Sequence, residues 1–372
     1  MVHTVSDNET HYAQTTAESS LMRLLPTFAL ASAAALALAG CSGAGAPSDD
    51  SGLVRVVAST NVYGDIAASV GGDLVDVTSI ISNQSQDPHS YEATARDQLA
   101  LSKAQLVIEN GGGYDPFIGA LLDGSDNPDV VIVSATEVSG QDDDDDVATD
   151  DLAIGDTQTD DAATDDAATD DMATDDMATD DMATDDMATD DTGGHDHIEG
   201  VNEHVWYSLD TMGHVAEEIA RELADIDPEN AAAYESNYEA FAAQLDTLEA
   251  RADAIAVTAA GRGAAITEPV PLYLLLEVGL DNRTPEAFSS AIEEGSDVAP
   301  AVLRETLDLF ESDTVALLAY NQQTAGAETE QVREAAEAAG VPVVSFAETM
   351  PEDDDYIGWM SMNLDAIETA LG

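Results

Sequence analysis

Short apolar runs alternate with helix-like stretches along most of the chain, and this order restricts the fold more than any other sequence feature. The runs are rich in β-branched residues and predict strands at 54–58, 75–81, 105–109, 130–133, 264–267, 314–320 and 341–346. The stretches beside them predict helices at 62–70, 94–102, 116–122, 210–224, 269–278, 299–311, 328–339 and 356–370. Strands that alternate with helices indicate an α/β fold, in which mainly parallel sheets are wrapped by helices.

One long helix is predicted between the two groups of strands. Asp227 and Pro228 are residue types that favour the N-cap and the first helical position. An apolar stripe at alternating four- and three-residue steps follows, at Tyr234, Tyr238, Phe241, Leu245, Leu248, Ala252 and Ile255. We therefore predict an N-terminal lobe at 53–226 and a C-terminal lobe at 261–372, joined by one long rigid helix at 227–260.

An acidic repeat interrupts the N-terminal lobe at 141–194. It begins with a run of aspartates at 142–146 and continues with copies of Asp-Asp-(Ala or Met)-Ala-Thr. A five-residue period fits neither a helix nor a strand, and the apolar content is too low to offset the entropy of ordering. We predict a disordered surface insertion whose aspartates attract cations diffusely.

The charge of the chain excludes one large class of partner. There are 76 acidic and 10 basic residues among 372, and the formal net charge is -66. Nucleic acid is excluded as a partner because neutralising phosphates requires clustered lysine and arginine. The negative charge fits cation attraction, and it fits solubility or adaptation to salt equally well.

The N-terminus has the pattern of an export signal. Met22 and Arg23 precede an apolar run that ends in Leu-Ala-Gly-Cys at 38–41. Cys41 is the only cysteine and lies where a lipoprotein signal places the lipidated residue. We predict a signal peptide at 1–40, with a possible start at Met22, and a tether at 41–52. The mature chain would be held on the extracytoplasmic face of a bacterial cell membrane by the lipid on Cys41 alone.

Two histidines follow predicted strands or begin predicted helices, where metal ligands are often found. His89 lies in Asp-Pro-His-Ser-Tyr-Glu at 87–92, on a loop that Pro88 stiffens. His204 lies in Asn-Glu-His-Val-Trp-Tyr at 202–207, beside two aromatic residues. Imidazole is the commonest neutral metal ligand. From the residues alone, His89 fits an exposed turn and His204 a packed core position equally well.

These two segments resemble the motifs of the cluster A-I metal-binding proteins of ABC importers, a family that binds zinc and manganese. The Asp-Pro-His-Ser segment is similar to the first motif, and 202–206 is similar to a His-x-Trp motif that follows a variable loop. The turn at 110–114, Asn-Gly-Gly-Gly-Tyr, also resembles a family turn. The resemblance extends from about residue 53 to 371. It implies a monomeric solute-binding protein that delivers a metal to an importer permease.

The resemblance also implies the remaining ligands. The third family ligand begins the C-terminal lobe, and Glu268 in Ile-Thr-Glu-Pro at 266–269 matches it. A first-turn carboxylate that the helix dipole favours is the alternative role for Glu268. The fourth family ligand is a carboxylate after the strand at 314–320, where this chain has Asn321 and Gln322 instead. One of these two amides, a bound water or another carboxylate would fill that position. His195 and His197, at the end of the acidic insertion, match an auxiliary metal-collecting loop.

A set of His89, His204 and Glu268 fits Zn²⁺ in a four-coordinate site and also suits Mn²⁺, which accepts more oxygen ligands. Two histidines and a histidine-containing loop favour zinc, with manganese second. We expect a carrier rather than an enzyme. A zinc-dependent hydrolase is the first rival, although no His-Glu-x-x-His helix is present. A surface adhesin that a metal stabilises is the second.

Overall fold

The computed structural model describes residues 52–86, 88, 91–140, 202–312 and 314–372. The predicted signal peptide, the tether up to residue 51 and the acidic insertion lie outside the described residues. The same holds for Cys41, His89, His195 and His197, so the roles predicted for these four side chains stay predictions.

The described residues form two four-stranded sheets in which every strand pair is parallel. The first sheet has the order β2-β1-β3-β4 and the second has the order β6-β5-β7-β8. The strands are β1 (Val54–Thr60), β2 (Val75–Ile81), β3 (Leu106–Glu109), β4 (Val131–Ser134), β5 (Arg262–Ile266), β6 (Leu280–Asn282), β7 (Val315–Asn321) and β8 (Val343–Phe346). The prediction of an α/β fold with two mainly parallel sheets is confirmed.

Helices cover both sheets, as parallel connections require. They are α1 (Asn61–Gly71), α2 (Ala95–Leu101), α3 (Pro116–Asp123), α4 (Ala135–Ser139), α5 (Leu209–Ile226), α6 (Ala231–Ala259), α7 (Leu272–Glu277), α8 (Glu286–Glu293), α9 (Pro300–Asp308), α10 (Ala327–Ala339) and α11 (Tyr356–Leu371). In the described part of the chain, none of these helices has the length and apolar character that crossing a bilayer requires.

The long helix α6 is the structural link between the two sheets. It packs against α1 and α5 on the side of the first sheet and against α7 and α11 on the side of the second. All residues of the predicted apolar stripe are buried except Tyr238, which is partly buried. The two sheets therefore share one core along α6, although the exact lobe boundaries at 226 and 260 stay predictions.

Two details of the C-terminal half differ from the sequence prediction. The short strand β6 and the helix α8 were not predicted, because three residues are too few to show a period and α8 is only two turns long. Helix α7 begins at Leu272, three residues later than predicted. Glu268 therefore precedes the helix by a short turn and does not lie in its first turn.

The start of α6 also differs from the prediction. Asp227 and Pro228 do not begin the helix, because Asn230 is its N-cap. Asp227 ends α5 instead: its N–H donates to the carbonyl of Leu223 at 2.8 Å. Its carboxylate accepts hydrogen bonds from Asn230 Nδ2 and from the Tyr234 hydroxyl. The Asp-Pro pair thus closes one helix and turns the chain into the next.

Loops at the carboxyl ends of the two sheets contact each other within the compact unit formed by Ser51–Gly372. Asn61, directly after β1, donates from Nδ2 to the carbonyl of Met350 at 2.7 Å. The Tyr207 hydroxyl donates to the carbonyl of Ala347, just after β8, also at 2.7 Å. Because ligands of open α/β sheets bind at the carboxyl ends of the strands, these contacts bring two potential binding edges together.

The packing of α6 gives a first test of this architecture. Ile255 is 5% exposed and Val257, two residues later on the same helix, is 83% exposed. We expect Ile255→Ala to lower the free energy of unfolding by about 2–5 kcal/mol, because it removes a buried side chain and leaves a cavity. Val257→Ala, the matched control, changes it by less than about 0.5 kcal/mol. Urea denaturation followed by circular dichroism measures both, and equal losses in the two variants would contradict the packing.

Candidate metal-binding site

Three polar side chains lie together where neighbouring strands of the second sheet end. Glu268 follows β5, Asn321 is the last residue of β7, and Glu348 follows β8 by two residues. Since these strands are adjacent, their carboxyl ends lie at one edge of the sheet. Glu268 and Glu348 are both 3% exposed and Asn321 is 2% exposed. Burying two carboxylates at one edge is costly unless hydrogen bonds or a cation compensate.

Asn321 connects the two carboxylates. Its Nδ2 donates to Glu268 Oε2 at 2.6 Å and to Glu348 Oε1 at 2.9 Å. The hydroxyl of Thr324 also donates to Glu268 Oε2, at 2.5 Å. Gln322, the other candidate at this position, is exposed and donates to Ser345 Oγ at 2.9 Å. The structure therefore brings Asn321 to Glu268 and directs the side chain of Gln322 to Ser345.

His204 reaches the same region from the first half of the chain. It lies directly before a 3-10 turn, Val205–Tyr207, and is 1% exposed. Its ring makes edge contacts with Tyr114 and Trp206, with centroids 5.9 and 5.1 Å away. Its Nδ1 lies 2.7 Å from Asn202 Oδ1, which orients the ring. A histidine whose ring is oriented by a hydrogen-bond partner and shielded from water by aromatic side chains is well suited to bind a metal.

The loop that carries His204 is anchored to the turn after β3. Asn110 is fully buried, and its Nδ2 donates to the carbonyl of Glu203 at 2.9 Å. The Tyr63 hydroxyl donates to Asn110 Oδ1 and fixes the direction of the amide. In the same turn Gly112 has a φ of +63°, and a Cβ there would lie 2.9 Å from Thr136 Cγ2 and 3.5 Å from Glu203 Cβ. The turn thus packs tightly against the residue before His204.

A cavity of about 340 Å³ lies between these elements. It is lined by His204, Glu268, Val270, Ile292, Glu293, Glu294, Gly295, Thr324, Ala325 and Glu348. Among these described lining residues there is no lysine or arginine. An imidazole and several carboxylates, with no lysine or arginine beside them, form a set of ligands suited to a cation.

A second group of side chains overlaps this cavity. Glu203, His204 and Glu293 each offer one ligand atom, and these atoms all lie within 4.8 Å of one another. Glu293 is the last residue of α8, and its Oε1 lies 3.7 Å from His204 Nδ1. Its side chain is 16% exposed, so it stands closer to solvent than His204. The carboxylate set around His204 therefore comes from both halves of the chain.

Sequence reasoning missed Glu348, Glu203 and Glu293. Glu348 is the first acidic residue after the predicted strand at 341–346, so the rule that ligands follow strand ends would have found it. The sequence does not reveal that β8 lies beside β7, and the fourth ligand was expected after β7 instead. Glu293 belongs to the unpredicted helix α8, and no sequence signal indicated it.

Comparison with known proteins identifies the family to which the chain is similar. The profile of the family described as "ZnuA: Zinc-uptake complex component A periplasmic" matches residues 56–370. The chain is 23% identical over 371 residues to the iron ABC transporter substrate-binding lipoprotein MtsA of Streptococcus pyogenes serotype M1, covering 90% of this chain and 94% of that protein. It is 24% identical over 387 residues to the metal ABC transporter substrate-binding lipoprotein SsaB of Streptococcus sanguinis, covering 94% and 99%.

Solved structures show the same fold. The periplasmic zinc-binding protein TroA from Treponema pallidum superposes with a TM-score of 0.60 at 18% identity, covering 86% of this chain and 100% of that one. The solute-binding protein FpvC of Pseudomonas aeruginosa in complex with Ni²⁺ gives a TM-score of 0.59 at 22% identity, covering 86% and 97%.

These matches decide between the expectations drawn from the sequence. The resemblance to solute-binding proteins of metal ABC importers is confirmed, since the matching family and its relatives are transport components and not enzymes. Neither the hydrolase nor the adhesin finds support among them. With the family profile matching most of its length, the chain belongs to the ZnuA family of periplasmic metal-uptake components.

Proposed function

We propose that this protein captures a divalent transition metal in the cavity between its two halves and delivers it to the permease of an ABC importer. One observation carries the proposal. His204 from the first half and Glu268 and Glu348 from the second line a single cavity, with no lysine or arginine among its described lining residues. A bound cation would add to the hydrogen bonds from Asn321 and Thr324 in offsetting the burial of those carboxylates.

The ligand set in this proposal consists of His204, Glu268 and Glu348, with His89 as a second imidazole from the loop after β2. Two imidazoles and two carboxylates satisfy the four-coordinate preference of Zn²⁺ and contain the oxygen ligands that Mn²⁺ accepts. The affinity of a given site for divalent metals rises along the series from manganese to copper, and its affinity for zinc is well above its affinity for manganese. Zinc is therefore the tighter-bound ion and manganese the alternative cargo.

Delivery follows from the division of the ligands. Because the two halves supply different ligands, any movement that parts them breaks coordination. The halves are held together by hydrogen bonds, such as Asn61 to Met350 and Tyr207 to Ala347, beside the shared core along α6. Permease binding that separates the carboxyl-end loops would release the ion, while α6 limits how far the halves open.

The remaining parts of the proposal concern the cell surface. Relatives are named lipoproteins, and in this proposal the lipid on Cys41 anchors the protein to the extracytoplasmic face of the membrane. The anchored protein acts as a monomer. His195 and His197, with the acidic insertion, form an auxiliary low-affinity site that collects ions. Glu293 at the mouth attracts the ion inward, since a carboxylate there adds negative potential.

Removing His204 tests the site directly. We expect His204→Ala to weaken zinc and manganese binding by well over tenfold, because the cavity loses its buried imidazole. Isothermal titration of the metal-stripped mature protein measures the dissociation constants. His214→Ala is the matched control, since His214 lies on α5 outside the cavity and 57% of its side chain is exposed. Equal affinities in the His204 variant and the wild type would refute the site.

Glu348 distinguishes the proposed ligand set from the one expected from sequence alone. Glu348→Gln keeps the size of the side chain but removes its charge, so we expect metal affinity to fall by at least tenfold. Glu352→Gln, four residues later and exposed, removes the same charge outside the cavity and leaves affinity unchanged apart from a small general electrostatic effect. Titration of both variants in the same buffer makes the comparison, and an equal effect of the two would exclude Glu348 as a ligand.

Asn110 tests whether the anchored loop sets the position of His204. Asn110→Asp replaces the donor to the Glu203 carbonyl by an acceptor, so we expect the loop to shift and metal affinity to fall by about tenfold to a hundredfold. Asn127→Asp is the control, since Asn127 Nδ2 also donates to two carbonyls, of Leu101 and Ala104, in the same half. Thermal unfolding of the metal-free forms accompanies the titration. Equal loss of affinity in both variants would show that general destabilisation is the cause.

A further inference from the structure

The amide of Asn321 lies between two buried carboxylates and acts on both. One nitrogen, Nδ2, donates to Glu268 Oε2 and to Glu348 Oε1. These acceptors belong to residues 53 and 27 positions away, on loops after β5 and β8. The side chain therefore ties together two of the proposed ligands.

The orientation of this amide is itself fixed. Asn321 Oδ1 accepts a hydrogen bond from the backbone N–H of Gln323 at 3.0 Å. The backbone N–H of Asn321 donates to Thr267 Oγ1, also at 3.0 Å, and holds the residue in place. A flip of the amide would turn Oδ1 toward two carboxylates and lose the contact with Gln323. Nδ2 is therefore the atom that faces Glu268 and Glu348. The amide would influence a bound ion only by positioning these two carboxylates.

This arrangement restricts how the two carboxylates bind an ion. A carboxylate that binds in a bidentate manner places both of its oxygens on the ion, as high-coordination oxygen sites do. Asn321 holds one oxygen of each carboxylate in a strong, charge-assisted hydrogen bond. Glu268 has a second donor, Thr324, on the same oxygen. Hydrogen bonds on one oxygen favour coordination of an ion through the other oxygen of the same carboxylate, most strongly at Glu268, where two donors share Oε2.

We propose that Asn321 is a specificity-determining residue, which favours zinc over manganese by holding Glu268 and Glu348 in one-oxygen coordination. The inference rests on the proposed function, since it concerns the same cavity. Zinc prefers four ligands in tetrahedral geometry, whereas manganese prefers octahedral sites that are rich in oxygen. Hydrogen-bond partners of ligands tune both their orientation and the metal that they hold.

The test compares the ratio of the manganese and zinc dissociation constants in the wild type and in Asn321→Leu. Leucine has the same branched arrangement of heavy atoms as asparagine and no donor, so Glu348 becomes able to bind through two oxygens while Glu268 loses one of its two donors. We expect zinc binding to weaken by about tenfold to a hundredfold. Manganese binding weakens far less or strengthens, so that the ratio falls at least tenfold. Asn237→Leu, which loses one hydrogen bond to the carbonyl of Val70 on the first half, leaves the ratio unchanged.

A second variant and a spectroscopic signature keep the proposal testable if leucine impairs folding. Asn321→Ser retains one small donor, so its ratio lies between those of the wild type and Asn321→Leu. Co²⁺ bound to the wild type gives the intense visible absorption of a four-coordinate ion, and the leucine variant gives the weak absorption of a six-coordinate one. Equal weakening of both metals with an unchanged Co²⁺ spectrum would overturn the proposal. Failure of the wild type to bind either metal would instead overturn the proposed function.

Discussion

Several carboxylates lie beside a buried histidine in the candidate site, and their burial must be compensated electrostatically. This requirement is the main physical constraint on the structure. Glu203, Glu268 and Glu348 are each no more than 3% exposed, and His204 is 1% exposed. Taking such groups out of water is expensive unless an opposite charge or a full set of hydrogen bonds replaces the solvent. The donors from Asn321 and Thr324 supply part of this compensation. In the proposed function, a divalent cation supplies the remaining part.

The fold makes this concentration possible. Parallel strands end at one edge, so β5, β7 and β8 place Glu268, Asn321 and Glu348 side by side without any sequence proximity. The turn after β3 holds the loop of His204 through Asn110. Helix α6 then carries both sheets on one core, and His204, Glu268 and Glu348 line one cavity between the two halves. Each half supplies only part of the cavity lining, and in the proposed function this division allows the metal to be released.

Much of this architecture could be predicted from the sequence, because strand and helix periods are local properties. The two parallel sheets and the buried stripe of α6 were predicted for that reason. His204 and Glu268 were found through local motifs, and both line the cavity. Glu348 also follows a predicted strand, and it was missed because the family resemblance placed the fourth ligand after the strand at 314–320. The sequence predicted Asn321 as a candidate ligand. In the structure its amide faces two carboxylates, and this orientation depends on hydrogen bonds with Gln323 and Thr267 that form only in the folded chain.

The central claim is that one ion bridges the two halves at His204, Glu268 and Glu348. Crystals of the mature protein grown with zinc, and with manganese in a separate experiment, allow the ion to be located by anomalous X-ray diffraction at the absorption edge of each metal. The account predicts a single strong peak within about 2.0–2.2 Å of a ligand atom from each of the three side chains. A peak elsewhere in the protein, or a cavity that stays empty in both crystals while the three side chains point apart, would contradict it.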